Sequence, residues 1–252
     1  MRIFLASILI SLLAYRDVGS QCLLHKSPRE ATLRRPLVIR LGALKGKYLL
    51  GTPVQLRVTA VNRSDSQIRT RLFLEPRYGD LTLYISKDGK TFFHYLGPDW
   101  ELVEIEGTKT LNSWEEREAV FSVLWNNDVH ATAVGDSDFL AFPAPGIYLV
   151  KVEILTGVGI IKSDVIKIDV LAPTGVDERI WQQIKADSRL IRFIQDPRPD
   201  EKDARIMAER LGVLIKTYPD STYAMEFNKT LHDYRQRSEE MERVRSLNAE
   251  QK

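Results

Sequence analysis

Apolar and polar positions alternate with a period of two through much of the chain before residue 171. Val54, Leu56, Val58 and Ala60 face one way, and Gln55, Arg57 and Thr59 face the other. That period belongs to a strand buried on one side. Leu37, Ile39 and Leu41 alternate ahead of it, and Asn62-Arg63-Ser64-Asp65 closes it as a turn cluster. Ile68, Leu72 and Leu74 resume the pattern, with Arg69 and Arg71 directed to solvent. Leu81, Leu83 and Ile85 lead into Lys87-Asp88-Gly89-Lys90, a hairpin signal, and residues 92–96 form the return strand. Val120, Ser122 and Leu124 mark a further strand beyond Trp114. Tyr148, Val150, Val152 and Ile154 then alternate up to a Gly-rich turn at 156–159. After it Ile166, Ile168 and Val170 alternate against Lys167 and Asp169. Short strands at this spacing predict an antiparallel all-β region over residues 36–171.

The period changes after Ala172-Pro173-Thr174-Gly175, which reads as a linker over 172–175. Val176, Ile180, Ile184 and Ile191 share a helical face with Trp181 beside them, and Asp196-Pro197-Arg198-Pro199-Asp200 breaks that helix. Ala204, Met207, Leu211, Leu214 and Tyr218 predict a second helix, and Ala224, Phe227, Leu231 and Tyr234 a third. Residues 176–234 are thus expected to form a helical hairpin or trio, and the charged residues 235–252 a frayed helical tail. The apolar faces are larger than three short helices can hide among themselves. They are expected to pack against the strands or against a partner, because isolated helices of this length are marginal in water.

The corner Pro145-Gly146-Ile147-Tyr148 opens the penultimate strand with a tyrosine. This resembles the tyrosine corner of immunoglobulin-like domains. The expected fold is therefore mainly β, an immunoglobulin-like antiparallel β-sandwich followed by a small α-helical C-terminal region. The order VTAVNRSD, FPAPGIYLVKV, KSDVIKIDVLAP and YPDSTYAMEF resembles exported bacterial proteins of uncharacterised function that join such a domain to a short helical region. Tyr218, Pro219, Ser221 and Ala224 are similar to the interhelical turn of tetratricopeptide-like periplasmic proteins. One helical unit is visible, whereas a repeat array needs about three to bury a continuous core. The resemblance implies architecture and export, and brings no catalytic set.

The N-terminus agrees with export. Arg2, the apolar run from Ile3 to Tyr15, and the residues Val18 to Ser20 have the layout of a signal peptide over 1–20, cleaved after Ser20. Residues 21–35 then read as a flexible leader. Arg16 and Asp17 stop the apolar run short of the roughly 20 residues a membrane span requires. Cys22 is the sole cysteine, so no intramolecular disulfide forms and the domain depends on its core. Its place after the cleavage point also makes it a lipidation candidate, although Gly19 and Gln21 depart from the usual lipobox. Loss of residues 1–20 removes Arg2, Arg16 and Asp17 from 36 basic and 34 acidic side chains, leaving the chain near neutral. A nucleic-acid binder normally carries a basic excess, so that class is excluded.

No motif of known chemistry is present. His25, His94, His130 and His232 lack metal-ligand spacing, and there is no His-Glu-x-x-His, paired cysteine or Gly-x-Ser-x-Gly. Asp128, Asp136 and Asp138 lie together with His130 on an acidic loop over 128–138, a Ca²⁺ candidate without the fixed alternation of a calcium loop. Phe92, Phe93, Tyr95 and Trp100 form an aromatic-rich stretch, in which Trp100 is the candidate ring for stacking on a sugar. The expectation is a non-enzymatic binding or scaffolding protein with no cofactor, facing another exported protein in the periplasm or medium. Membrane attachment would follow only from a lipidated Cys22 or an uncleaved signal. The alternatives are a carbohydrate-binding module, an extracellular protease inhibitor, and a hydrolase using the 128–138 loop.

Overall fold

The structure, a computed structural model, describes residues 36–97, 107–126, 139–157, 159–200 and 202–250. Its strands are β1 (Leu37–Ala43), β2 (Lys47–Leu49), β3 (Val54–Asn62), β4 (Ile68–Thr70), β5 (Leu81–Ser86), β6 (Phe93–Tyr95), β7 (Lys109–Leu111), β8 (Glu116–Val123), β9 (Gly146–Thr156), β10 (Gly159–Lys162) and β11 (Ile166–Leu171). Four helices follow among the described residues: α1 (Val176–Ile184), α2 (Ser188–Gln195), α3 (Ala204–Thr217) and α4 (Thr222–Glu250). Strand and helix are nearly balanced among the described residues, at 34% and 32%. The expected predominance of strand is corrected by α4, which runs through the charged residues after Arg235 as one helix to Glu250.

The strands form two main sheets. One has the order β1-β3-β8; the other runs β2-β11-β9-β5-β6, with β10 pairing on β9. A small third sheet joins β4 to β7. Pairing is antiparallel except between β2 and β11. Burial follows the alternation of the sequence. In β3 the side chains of Val54, Leu56, Val58 and Ala60 are buried while Arg57 is exposed. In β9 Tyr148, Val150, Val152 and Ile154 are buried, and each apolar position lies two residues from the next. Both main sheets contribute to one apolar core. The Tyr148 hydroxyl donates to the Ala144 carbonyl at 2.7 Å and accepts from the Ala144 N–H at 3.1 Å, tying strand to corner.

The predicted first helix is two helices. It breaks after Ile184, where the Asp187 side chain caps α2 by accepting the Arg189 N–H at 3.1 Å. A cap of this kind satisfies an end donor that helix geometry leaves unpaired. The helices share the core of the strands: Ile180, Trp181, Ile184, Ile191, Phe193, Leu211, Tyr223 and Phe227 are all buried in it. Trp181 lies over Gly51, where a Cβ would come within 2.3 Å of the ring. Gly51 has φ of +81°, so two independent constraints select glycine there. The Tyr223 hydroxyl donates to the Leu50 carbonyl, and Lys45 pairs with Glu226. No helix among the described residues is long and apolar enough to cross a membrane.

Candidate functional site

Helices and strands meet along a groove of about 350 Å³. One wall comes from the end of β8 (Val120, Phe121, Ser122) and another from Glu75, Pro76 and Arg77. The helical wall comes from the end of α2 and from one face of α4, with Lys229, Thr230, Asp233 and Arg237 at successive turns. Residues three and four apart share a helix face, so α4 presents this row without a bend.

Gln195, the last residue of α2, anchors the groove. Its side-chain oxygen accepts the backbone N–H of Leu124 at 2.9 Å and that of Trp125, and its amide donates to the Tyr95 hydroxyl at 2.8 Å. One carboxamide thereby joins α2 to both sheets. Burial pushes the Tyr95 phenol well above its ordinary pKa. Thr230 of α4 donates to the Ile194 carbonyl at 3.2 Å and fixes the two helical walls together.

The groove's charges are mostly used internally. Burial pushes the Asp196 carboxyl up, but hydrogen bonds from Arg237 and Arg198 outweigh it and hold the group below its ordinary range. Arg77 pairs with Glu75 at 2.8 Å, and Glu226 with Lys45. Lys229 and Asp233 remain without an ion pair among the described residues. No nucleophile–base pair lines this surface, and no group of His, Cys, Asp or Glu suited to a metal occurs among the described residues. The chemistry on offer is hydrogen bonding and apolar contact.

Of the residues singled out by sequence, Cys22, Trp100, Asp128, Asp136 and Asp138 lie outside the described residues. The aromatic stretch is divided: Tyr95 is buried against the core, whereas Phe92 and Tyr84 flank the Lys151 ammonium at 5.0 and 4.9 Å. Trp114 is 62% exposed, and its indole N–H donates to Asp65 at 3.2 Å. A second, mostly apolar hollow of about 260 Å³ lies beside Tyr148, with Lys87 and His94 in its lining. Sequence reasoning missed Gln195 altogether. A glutamine at a helix end has no periodicity to mark it, and its partners lie some 70 and 100 residues away.

No protein-family model matches the chain, and no curated protein matches it. Among solved structures it is similar to the sporulation control protein Spo0M of Bacillus subtilis, with 16% identity, 60% of this chain and 56% of that chain covered, and a TM-score of 0.33. It is also similar to the alkylpurine DNA glycosylase AlkC of Pseudomonas fluorescens, at 12% identity over 56% of this chain and 32% of that one, with a TM-score of 0.30. A β-glucosidase of Listeria innocua matches at 16% identity over 54% of this chain and 16% of that one, with a TM-score of 0.28. The chain thus spans little more than half of Spo0M and smaller shares of the other two, and likenesses this distant carry no inference about activity.

Proposed function

We propose that the chain is a non-enzymatic exported protein that holds another exported protein, using an immunoglobulin-like β-sandwich buttressed by its helical region. The strand order supports the sandwich. β3 and β8 stand in one sheet as strands B and E do in that fold, and β5, β9 and β11 in the other as C, F and G do. Tyr148, near the start of β9, bonds back to Ala144 as a corner tyrosine does. Export rests on the signal-like layout of residues 1–20.

The observation that carries the binding role is the groove between β8 and α4. It is concave, joins two kinds of secondary structure, and carries hydrogen-bonding groups with no catalytic set beside them. Grooves at such junctions are common recognition sites. The test is site-specific photocrosslinking in the exporting cell, with the crosslinker at Lys229 in the groove or at Lys167 on β11. The expected result is one discrete adduct with an exported protein from position 229 and none from 167. Equal labelling from both positions, or none from either, overturns the reading.

A further inference from the structure

β8 is an edge strand. Among the described residues it pairs with β3 alone. The ladder's phase follows from one bond and the register. Glu116 lies opposite Val61, and the Asn62 N–H donates to the Glu115 carbonyl at 3.0 Å. Antiparallel ladders alternate, so Arg117, Ala119, Phe121 and Val123 turn their backbone groups toward β3. Those of Glu116, Glu118, Val120 and Ser122 turn away from the sheet.

The chain covers this outer edge beyond the end of β8, and acidic side chains stand at its start, with an open length between them. Beyond β8, Leu124 is the next outward position. Its N–H is taken by Gln195, and its carbonyl accepts from the Ala141 N–H at 2.8 Å. At the other end stand Glu116 and Glu118, whose carboxylates pair over the sheet face with Arg40 of β1 and Arg57 of β3. Charged side chains of this kind blunt an edge against unwanted strand pairing. Val120 and Ser122 have neither protection. Val120 is 44% exposed, and both residues line the groove.

We infer that Val120 and Ser122 form a strand-addition site, at which an extended, uncharged segment of a partner polypeptide pairs with the open length of β8. This rests on the binding role proposed above and specifies how the partner is held. Gln195 marks where the added strand must stop, since its carboxamide already occupies the next acceptor position. The charges select against a charged segment, because they are paired internally except for Lys229 and Asp233, one turn apart and opposite in sign. Glu75–Arg77 and α4 both line the groove at this point, which favours a single extended segment over a second copy of the chain, whose whole sheet would have to enter. Backbone bonds at Val120 and Ser122 would supply affinity and the contact with Val120 some selectivity, as in other strand additions.

The test uses the full chain, a displayed library of random seven-residue peptides, and the substitution Val120→Pro. Proline is tolerated on an edge where the lost N–H faces outward. Val120→Pro should therefore keep the circular-dichroism spectrum and thermal midpoint of the parent, whereas Phe121→Pro, which deletes a ladder bond, should not. The selected peptides should alternate β-branched or aromatic residues, lack Pro and charge at the centre, and bind Val120→Pro about tenfold or more weakly. In the free parent, the amides of Val120 and Ser122 should exchange with solvent faster than those of Ala119 and Phe121, and slow when a selected peptide is added. Should Val120→Pro prove unfolded, this exchange pattern decides alone. Peptides that bind parent and variant equally overturn strand addition while leaving the binding role intact. A library that yields no binder, or Val120 and Ser122 amides already protected in the free chain, also overturns it. Protection that rises with protein concentration would identify a second copy as the occupant and overturn it equally.

Discussion

The β region and the helical region are held by different means. The strands are joined by backbone ladders, and each strand specifies its buried face by alternation, as β3 and β9 do residue by residue. The helices satisfy their own backbones and attach to the strands through side chains: those buried in the shared core, and specific contacts of Trp181 over Gly51, Tyr223 to Leu50, and Gln195 to Leu124 and Tyr95. Ladders distribute stability over many similar bonds, whereas such attachments concentrate it at particular residues. Substitutions at the attachments should therefore cost more than substitutions of single hydrogen bonds within the β region.

The largest effect is expected at Trp181. It is 6% exposed and fills the space above Gly51. Trp181→Ala should cost about 3–5 kcal/mol in chemical denaturation, the usual range for deleting a buried aromatic side chain. Gly51→Ala sharpens the point, since it both strains a positive φ and strikes the ring. In the Trp181→Ala background the steric part should vanish and the backbone part remain, so the two substitutions should be strongly non-additive. Additive costs would mean that the ring and Gly51 are not in contact.

A smaller effect belongs to the β region. Tyr148→Phe removes a hydroxyl that bonds both backbone groups of Ala144. It should cost about 0.5–1.5 kcal/mol, read as a shift of the urea midpoint at unchanged slope. An unchanged midpoint would remove the corner from the list of stabilising contacts.

The smallest effect is a pH dependence at the groove. Arg237 and Arg198 hold the Asp196 carboxyl below its ordinary 3.8 despite burial. A depressed folded-state pKa means that the unfolded chain binds the proton more readily. The stabilisation is therefore full above the unfolded value of about 4 and is lost as pH falls through the lower folded value. Asp196→Asn should flatten the acid limb of stability between pH 4 and the onset of acid unfolding, with little change in its shape near pH 7. An unaltered acid limb would show that the carboxylate is not held by its arginines.

Legibility in the sequence divides along the same line. β3, β5, β9 and β11 were visible because each buries alternate residues, and α3 because Met207, Leu211 and Leu214 fall on one face. β2 was invisible: three residues with one buried tyrosine carry no period, and its parallel pairing with β11 is set by the distant chain. β8 was read from Val120, Ser122 and Leu124, yet it begins at Glu116, and Phe121 and Val123 turn inward on the face of Leu56 and Val54. Polar residues on an edge strand hide its alternation. The break before α2 was missed for a related reason. An Asp cap within an apolar face looks like one more polar position. The groove had no sequence signal, because its walls lie on β8, α2 and α4 and meet only in the folded chain.

The central claim is that strands and helices form one cooperative unit, with the groove as its seam. Guanidinium unfolding of the full chain, followed at once by far-ultraviolet circular dichroism for the helices and by near-ultraviolet circular dichroism for the packed aromatic core, tests it most directly. One shared core predicts coincident transitions with the same midpoint and slope. A helical signal that melts at lower denaturant than part of the aromatic signal, leaving the contribution of strand aromatics such as Tyr95 and Tyr148, would contradict it.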